Sequence, residues 1–293
     1  MKYLLTGGSG FLGAIIKDKL SPKHEVISLG RSISNDIIAD LSKEKAILPK
    51  VDVLIHAAGK AHIVPKTESE KAEFFKVNVE GTRNLLASIQ ENPRTIIFIS
   101  SVAVYGLEEG ELVAEDHELK GETPYAESKV KAEKLVLDWG KKNGVNVLVL
   151  RLPLIVGQNA PGNLGAIIKA IRKGYYFRFG EGKAKKSMVL ADDVADFING
   201  YGDKSGIYNL TDGEDPTMAE LDQYLSEKFD RKVKPFPMGP LRILAKVGDN
   251  LKFFPLNSYR LEKLQTSLTF SSQKAVNELG WKPKPVIGNF DPR

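Results

Sequence analysis

A chain of 293 residues that is 42% hydrophobic and 27% charged can bury a full core, as one large α/β unit or as two lobes sharing a boundary, and its composition argues against disorder. Its 42 basic and 37 acidic side chains leave a formal charge of +5, but the lysines are scattered, so they read as solvated surface rather than a nucleic-acid face, with a mild preference for anions such as nucleotides. With no cysteine there are no disulfides, thiolate nucleophiles or cysteine metal sites, and without a leader or a membrane-length apolar run the expected location is cytoplasmic, with no membrane insertion.

β-rich runs at residues 2–6, 25–29, 36–39, 51–58, 95–100 and 145–152 alternate with helical stretches at 13–20, 70–90 and 125–139. This order predicts an α/β fold built on a Rossmann-type doubly wound parallel sheet. Asn143-Gly144 supplies the stop signal of the third helix. Past Leu152 the pattern loosens. Turn-rich segments at 158–162 and 180–186 separate predicted helices at 162–173, 192–201 and 217–229, and a strand at 206–210 is a candidate to rejoin the main sheet. Leu279-Gly280-Trp281-Lys282-Pro283 reads as a helix stop followed by an extended tail. The expected division is a first domain over residues 1–152 and a smaller C-terminal lobe over 153–293, apart from that strand.

Thr6-Gly7-Gly8-Ser9-Gly10-Phe11-Leu12-Gly13 joins the first strand to the first helix, where a dinucleotide pyrophosphate would sit. Gly7 or Gly8 permits the tight turn, Gly10 lets backbone N–H groups approach the pyrophosphate, and Gly13 lets the helix pack close on the strand. The helix N-terminus adds partial positive charge. A glycine triplet alone is a weak signal, and the flanking strand and helix make it specific.

Tyr125-Ala126-Glu127-Ser128-Lys129 opens a helix, and Ser100-Ser101 ends the strand that precedes it in the sheet. Tyr and Lys four apart share a helical face, so the ammonium is expected to hold the phenol below its ordinary pKa of about 10 and let it exchange protons near neutrality. The Ser101 hydroxyl can bind the same substrate oxygen.

Together these segments resemble the extended short-chain dehydrogenase/reductase family, specifically its NAD(P)-dependent nucleotide-sugar epimerases, dehydratases and reductases. The likeness spans nearly the whole chain. It runs through the glycine loop, Asp40-Leu41, His56-Ala57-Ala58-Gly59, Asn78-Val79-Glu80-Gly81-Thr82, Ser100-Ser101-Val102-Ala103-Val104-Tyr105-Gly106, the Tyr125 to Lys129 pair and Arg151-Leu152-Pro153.

The resemblance implies Tyr125 as general acid or base, Lys129 on the nicotinamide ribose and tuning Tyr125, and Ser101 polarising the sugar carbonyl or hydroxyl. It implies further that Gly7, Gly10, Phe11, Leu12 and Gly13 cradle the pyrophosphate. Asp40 and Leu41 would meet the adenine, Ala57, Ala58 and Gly59 would line the dinucleotide, and Asn78 would support the site. A homodimer through the helices around Asn78 and Tyr125 is also implied.

Departures narrow the activity. The family's dehydratases carry Asp-Glu directly after the catalytic hydroxyl residue, where this chain has Val102 and Ala103. Its reductases that also epimerise use a cysteine, which is absent here. Keto reduction or 4-epimerisation remains. After the second strand Gly30-Arg31-Ser32 takes the place of the acid that reads a ribose 2′-OH, so NADP is favoured over NAD, with Arg31 clamping the 2′-phosphate.

In the second half Gly162-Asn163-Leu164 resembles the segment that meets a nucleotide diphosphate, and Phe179 lies where an aromatic packs on the base. Lys186 stands at an arginine position, and Arg260 is a candidate to supply the missing fork. None of the four histidines has metal spacing; His62 is a candidate to approach the cofactor cleft, with a structural role as the alternative. The resemblance implies an enzyme that reduces a UDP-linked 4-keto hexose or N-acetylhexosamine for polysaccharide synthesis. A UDP-hexose or UDP-HexNAc 4-epimerase and a non-catalytic dinucleotide sensor are the alternatives.

Overall fold

The computed structural model describes residues 1–61, 63–201, 203–249, 258–263 and 265–293, the side chains of residues 244, 259, 260 and 263 excepted. In chain order it runs β1 (Lys2–Thr6), α1 (Phe11–Leu20), β2 (Glu25–Gly30), β3 (Ile37–Ile38), β4 (Val53–His56), α2 (Glu68–Phe75), α3 (Gly81–Ser88), β5 (Thr95–Ser101), β6 (Gly110–Val113), α4 (Pro124–Asn143) and β7 (Asn146–Leu152). There follow β8 (Leu154–Val156), α5 (Gly162–Lys173), β9 (Phe177–Phe179), β10 (Met188–Leu190), α6 (Ala191–Asn199), β11 (Gly206–Asn209) and α7 (Met218–Phe229). The chain closes with β12 (Lys234–Phe236), α8 (Met238–Asp249), α9 (Ser258–Lys263), β13 (Leu268–Phe270) and α10 (Gln273–Leu279).

Seven strands form one parallel sheet in the order β11-β7-β5-β4-β1-β2-β3. Both faces are covered, which is why its strands are nearly continuous apolar runs. Leu4 and Leu5 show the alternation: Leu5 faces Leu12 and Ile16 of α1 and Val194 and Ile198 of α6, while Leu4 joins Leu85 of α3 and Ala132 and Val136 of α4. Strand order reverses between β1 and β4, so the carboxyl ends of those strands open a crevice, the usual ligand position in such sheets. The segment at 206–210 supplies β11, paired with β7 from Gly206↔Leu148 to Asn209↔Arg151.

The long helix expected at 70–90 is divided. Thr67 starts α2 with a capping box closed by Glu70, and a π turn over Lys76–Glu80 separates α2 from α3. A π turn inserts a residue without breaking the apolar face, so periodicity alone does not mark it. Residues 57 and 58 leave the strand expected at 51–58, and the one expected at 36–39 pairs only over Ile37–Ile38. Helix ends follow their signals: Gly144 and Gly280 cap α4 and α10 in the left-handed conformation at φ 65° and 69°.

Candidate active site

The glycine loop is close-packed against itself and against the end of β4. Gly7 has φ +76°, and a Cβ there would lie 2.6 Å from Ala58 N. A Cβ on Gly13 would lie 2.1 Å from the Gly7 carbonyl oxygen. Gly10 caps α1 with extended backbone and no side-chain bond, and Ala14 N–H to Gly10 O, at 2.9 Å, is the first bond of the helix. The N–H groups of Phe11, Leu12 and Gly13 therefore precede the helical ladder, an anion-binding arrangement. The Phe11 ring packs over Gly157, tying the loop to the segment after β8.

Beneath the loop a buried relay fixes three elements. The Ala58 N–H donates to Thr6 Oγ1 (3.2 Å), which leaves the Thr6 hydroxyl to donate to His56 Nδ1 (2.7 Å). Thr82 Oγ1 donates to the Asn78 carbonyl (2.6 Å) and so accepts from His56 Nε2 (2.9 Å). This assigns His56 as the Nε2–H tautomer. Burial, with the Lys129 charge nearby, pushes His56 down to about 3, so it is neutral and structural.

Asn78 sits in the π turn, 3% exposed. Its Oδ1 accepts from Lys60 N (2.7 Å), and its Nδ2 donates to Lys60 O (3.1 Å) and to Ser128 Oγ (2.8 Å). Ser128 in turn donates to the Tyr125 carbonyl at 2.7 Å. The asparagine thus clamps the segment after Gly59 to the first turn of α4. Gly59 itself leaves room there: a Cβ would stand 3.3 Å from Asn78 Oδ1 and 4.0 Å from Lys129 Nζ.

Thr123 caps α4 and Pro124 opens it, which places Tyr125 in the first turn. Three consecutive residues at the end of β5 then meet three residues of α4. The Ile99 carbonyl accepts from Lys129 Nζ at 2.6 Å, the Ser100 hydroxyl donates to Glu133 Oε1, and the Ser101 side chain neighbours the Tyr125 phenol. Lys129 also lies 4.3 Å from the centroid of the Phe98 ring, and Phe74 meets Tyr125 edge-on at 6.3 Å.

The electrostatics differ from the expectation of a depressed phenol. Burial pushes Tyr125 above its usual value, and the neighbouring Ser101 hydroxyl offsets this in part. Helical spacing puts Tyr125 and Lys129 on one face, but the ammonium is directed to the Ile99 carbonyl and the Phe98 ring. Burial brings Lys129 down to about 8, opposed by the Glu133 carboxylate.

Arg31 is exposed in the turn after β2. Asp36, the first acid beyond it, bends back so that its Oδ2 accepts from Ser28 N (2.8 Å) and Ser28 Oγ (2.7 Å). Its carboxylate is committed to the β2–β3 turn and held low by those bonds. Asp40 starts a local turn, accepting from Ser42 Oγ at 2.7 Å, and the buried Leu41 packs near Gly81 while its carbonyl accepts from Asn84 Nδ2 at 2.8 Å. Ala57 and Ala58 follow β4 directly, on Thr6 O and Thr6 Oγ1.

The second-half candidates are spread over the lobe. Asn163 is exposed in the first turn of α5, which has no side-chain cap. Leu164 is only 1% exposed and packs with Val156, Leu190 and Leu221, so its side chain is core and only its backbone remains for a ligand. Phe179 borders a cavity of about 250 Å³ with Gly180, Lys183, Met238 and Gln265. A neighbouring cavity of about 370 Å³, lined by Arg242, Lys246, Ser258 and Glu262, also reaches Gln265. Neither is lined by Ser101, Tyr125 or Lys129. Lys186 bridges to Leu268 through its backbone. The Arg260 side chain and His62 lie outside the described residues. Among the described residues no cluster of His, Asp and Glu is arranged to hold a metal, and no helix is long and apolar enough to cross a membrane.

Residues without an assigned role complete the site from behind. Glu133 and Arg151 are both 2% exposed and paired twice, Arg151 Nη2 to Oε2 at 2.8 Å and Nε to Oε1 at 3.2 Å. Arg151 Nη1 reaches Tyr105 OH (3.0 Å), which donates to Asn209 Oδ1 (2.7 Å) on β11. A charge at a core position of α4 and an arginine inside the apolar β7 were the signals in the sequence.

The profile of the NAD dependent epimerase/dehydratase family matches residues 3–210. An Escherichia coli O157:H7 protein, N-acetyl-alpha-D-glucosaminyl-diphospho-ditrans,octacis-undecaprenol 4-epimerase, is 29% identical, covering 92% of this chain and 87% of its own length. The GDP-6-deoxy-D-mannose reductase of Pseudomonas aeruginosa is 27% identical, covering 98% of this chain and 93% of its own. In structure, the UDP-glucose 4-epimerase of Thermotoga maritima, solved with UDP-glucose, superposes with a TM-score of 0.77 at 22% identity, over 97% of this chain and 94% of that one, which shows a shared fold.

Proposed function

The chain belongs to the NAD dependent epimerase/dehydratase family, and we propose that it is an NAD(P)-dependent enzyme that reduces a keto group at C4 of a nucleotide-linked sugar. The register of Ile99, Ser100 and Ser101 against Lys129, Glu133 and Tyr125 supports this reading, because it brings a phenol, a hydroxyl and a buried ammonium to the carboxyl end of β5, the strand next to β4.

The cradle fits a dinucleotide: the Cβ positions of Gly7 and Gly13 are filled by backbone, and α1 offers uncapped N–H groups. Gly7, Gly10, Phe11, Leu12 and Gly13 would hold the pyrophosphate, with Ala57, Ala58, Gly59 and Asn78 along its course and Asp40 and Leu41 at the adenine end. When bound, the cofactor supplies hydride transfer. Tyr125, protonated in the resting site, gives its proton to the sugar carbonyl oxygen during reduction and takes it back in the reverse direction. Ser101 holds the same oxygen. Lys129 stabilises the phenolate left behind and contacts the ribose. Arg31 favours NADP, since it is exposed and the nearby Asp36 is spent on Ser28. Asn163, Phe179, Lys186 and Arg260 are assigned to a UDP-type moiety.

A 4-epimerase is the second reading, favoured by the activity of the Escherichia coli relative. Incubation with UDP-sugars, UDP-4-keto-sugars and a polyprenyl diphosphate-linked N-acetylhexosamine, with each cofactor, followed by mass spectrometry and NMR, tests both. Net consumption of NADPH is the expected result. Isomerisation without net cofactor change supports the epimerase. Dinucleotide binding with no turnover of any of these overturns the proposal in favour of a sensor.

A further inference from the structure

The Glu133–Arg151 pair is a costly feature. Burying two charges in a core gives little net stability over apolar side chains of the same volume, so its presence asks for a role beyond packing. Its surroundings supply one. Glu133 stands one helical turn after Lys129, and Ser100, which it holds, lies between the Lys129 acceptor Ile99 and the Tyr125 partner Ser101.

We propose that Glu133 is a positioning residue which, clamped by Ser100 and Arg151, keeps Lys129 protonated and anchored on the Ile99 carbonyl, one helical turn from Tyr125. This rests on the reading of Tyr125 and Lys129 as the working pair. The charge count explains the need. Lys129, Arg151 and Glu133 are all buried and leave one net positive charge. Among the described residues Glu133 is the one anion acting on Lys129: from β4 the ammonium meets the neutral His56, and from β5 the Ile99 carbonyl and Phe98 ring. Without the Glu133 charge the core would hold two cations. A guanidinium does not release its proton, so Lys129 would. A neutral Lys129 no longer stabilises a Tyr125 phenolate.

The test uses cofactor-free protein whose lysines carry isotopic nitrogen at Nζ. The Lys129 resonance, identified by its loss in Lys129→Met, is followed by NMR against pH, beside thermal melts. Glu133→Gln is expected to lower the Lys129 midpoint by about one pH unit or more, and Arg151→Met, which leaves Lys129 as the one buried cation beside Glu133, to raise it by a similar amount. A structural role would lower both melting temperatures and leave the midpoint in place. An unchanged midpoint in folded Glu133→Gln overturns the proposal. If that variant does not fold, the absence of a rise in Arg151→Met does so. No substrate or turnover enters, so this failure is distinct from failure of the sugar assay.

Discussion

Gly13 is held so closely under Gly7 that a methyl group on it would lie 2.1 Å from the Gly7 carbonyl oxygen, well inside any tolerable contact. The same carbonyl accepts from Gly10 N at 2.9 Å, so relief of the clash would pull apart the turn that aims the N–H groups of α1. Gly13→Ala is therefore expected to lose about 1 to 3 kcal/mol of stability through overpacking. Dinucleotide binding should weaken as well. Chemical denaturation and calorimetric titration with NADPH check the two effects, and a variant with wild-type stability and affinity would show that the loop is slack.

Arg31→Ala should reduce affinity for NADP(H) while leaving that for NAD(H) nearly unchanged. Loss of a charged hydrogen bond to phosphate costs on the order of 1.5 to 3 kcal/mol. Asp36 is the first acid after this turn in the sequence, and its bonds to Ser28 commit it away from a ribose hydroxyl. If wild type binds both cofactors equally, or the ratio does not move in the variant, Arg31 has no part in the choice.

His56 predicts an acid-side loss of stability. Its folded pKa of about 3 lies below the unfolded value of about 6.5, so between these pH values the unfolded chain binds the extra proton. Stability contributed by neutral His56 is present above about pH 6.5 and falls by about 1.4 kcal/mol per pH unit below it. Asp222, raised to about 6 by burial, acts with the opposite sign in part of that window. The difference between wild type and His56→Gln isolates the histidine: the wild type should show the steeper loss from pH 6.5 to 5, measured by urea titration. Parallel curves would remove it.

The glycine loop, the Tyr125–Lys129 pair and the alternating strands were legible because each is a local pattern whose spacing is its geometry. The π turn was not, since the apolar positions across residues 70–90 read as one uninterrupted helix. The direction of Lys129 was equally hidden. Spacing places its Cβ beside that of Tyr125, but the Ile99 carbonyl that receives its ammonium comes from a strand distant in sequence. Leu164 shows a related limit, because a motif position that offers backbone to a ligand also anchors its side chain in the core. Strands of three residues such as β8, β9 and β10 carry too few alternations to be read, and they owe their existence to parallel partners elsewhere in the chain.

Tyr125→Phe should abolish most turnover while preserving fold and cofactor binding, since it removes one hydroxyl and keeps the edge contact with Phe74. General acid/base assistance is worth about 10² to 10⁴ in rate, and a fall of that size is expected. Ser101→Ala should slow chemistry less, because it leaves the phenol in place but removes the neighbouring hydroxyl that favours its ionised form. It also removes the acceptor for Ala103 N at 3.2 Å, so a small stability loss accompanies it. Lys129→Met should lower both cofactor affinity and rate, because one ammonium is asked to serve ribose and phenol together. Stopped-flow hydride transfer separates these effects from slow product release. The pH dependence gives the sign. With Lys129 near 8 and Tyr125 above its ordinary value, the rate of reduction should fall as pH rises past about 8 in wild type, and this limb should vanish in Lys129→Met. Full hydride-transfer activity in Tyr125→Phe would sink the mechanism while leaving the family assignment untouched.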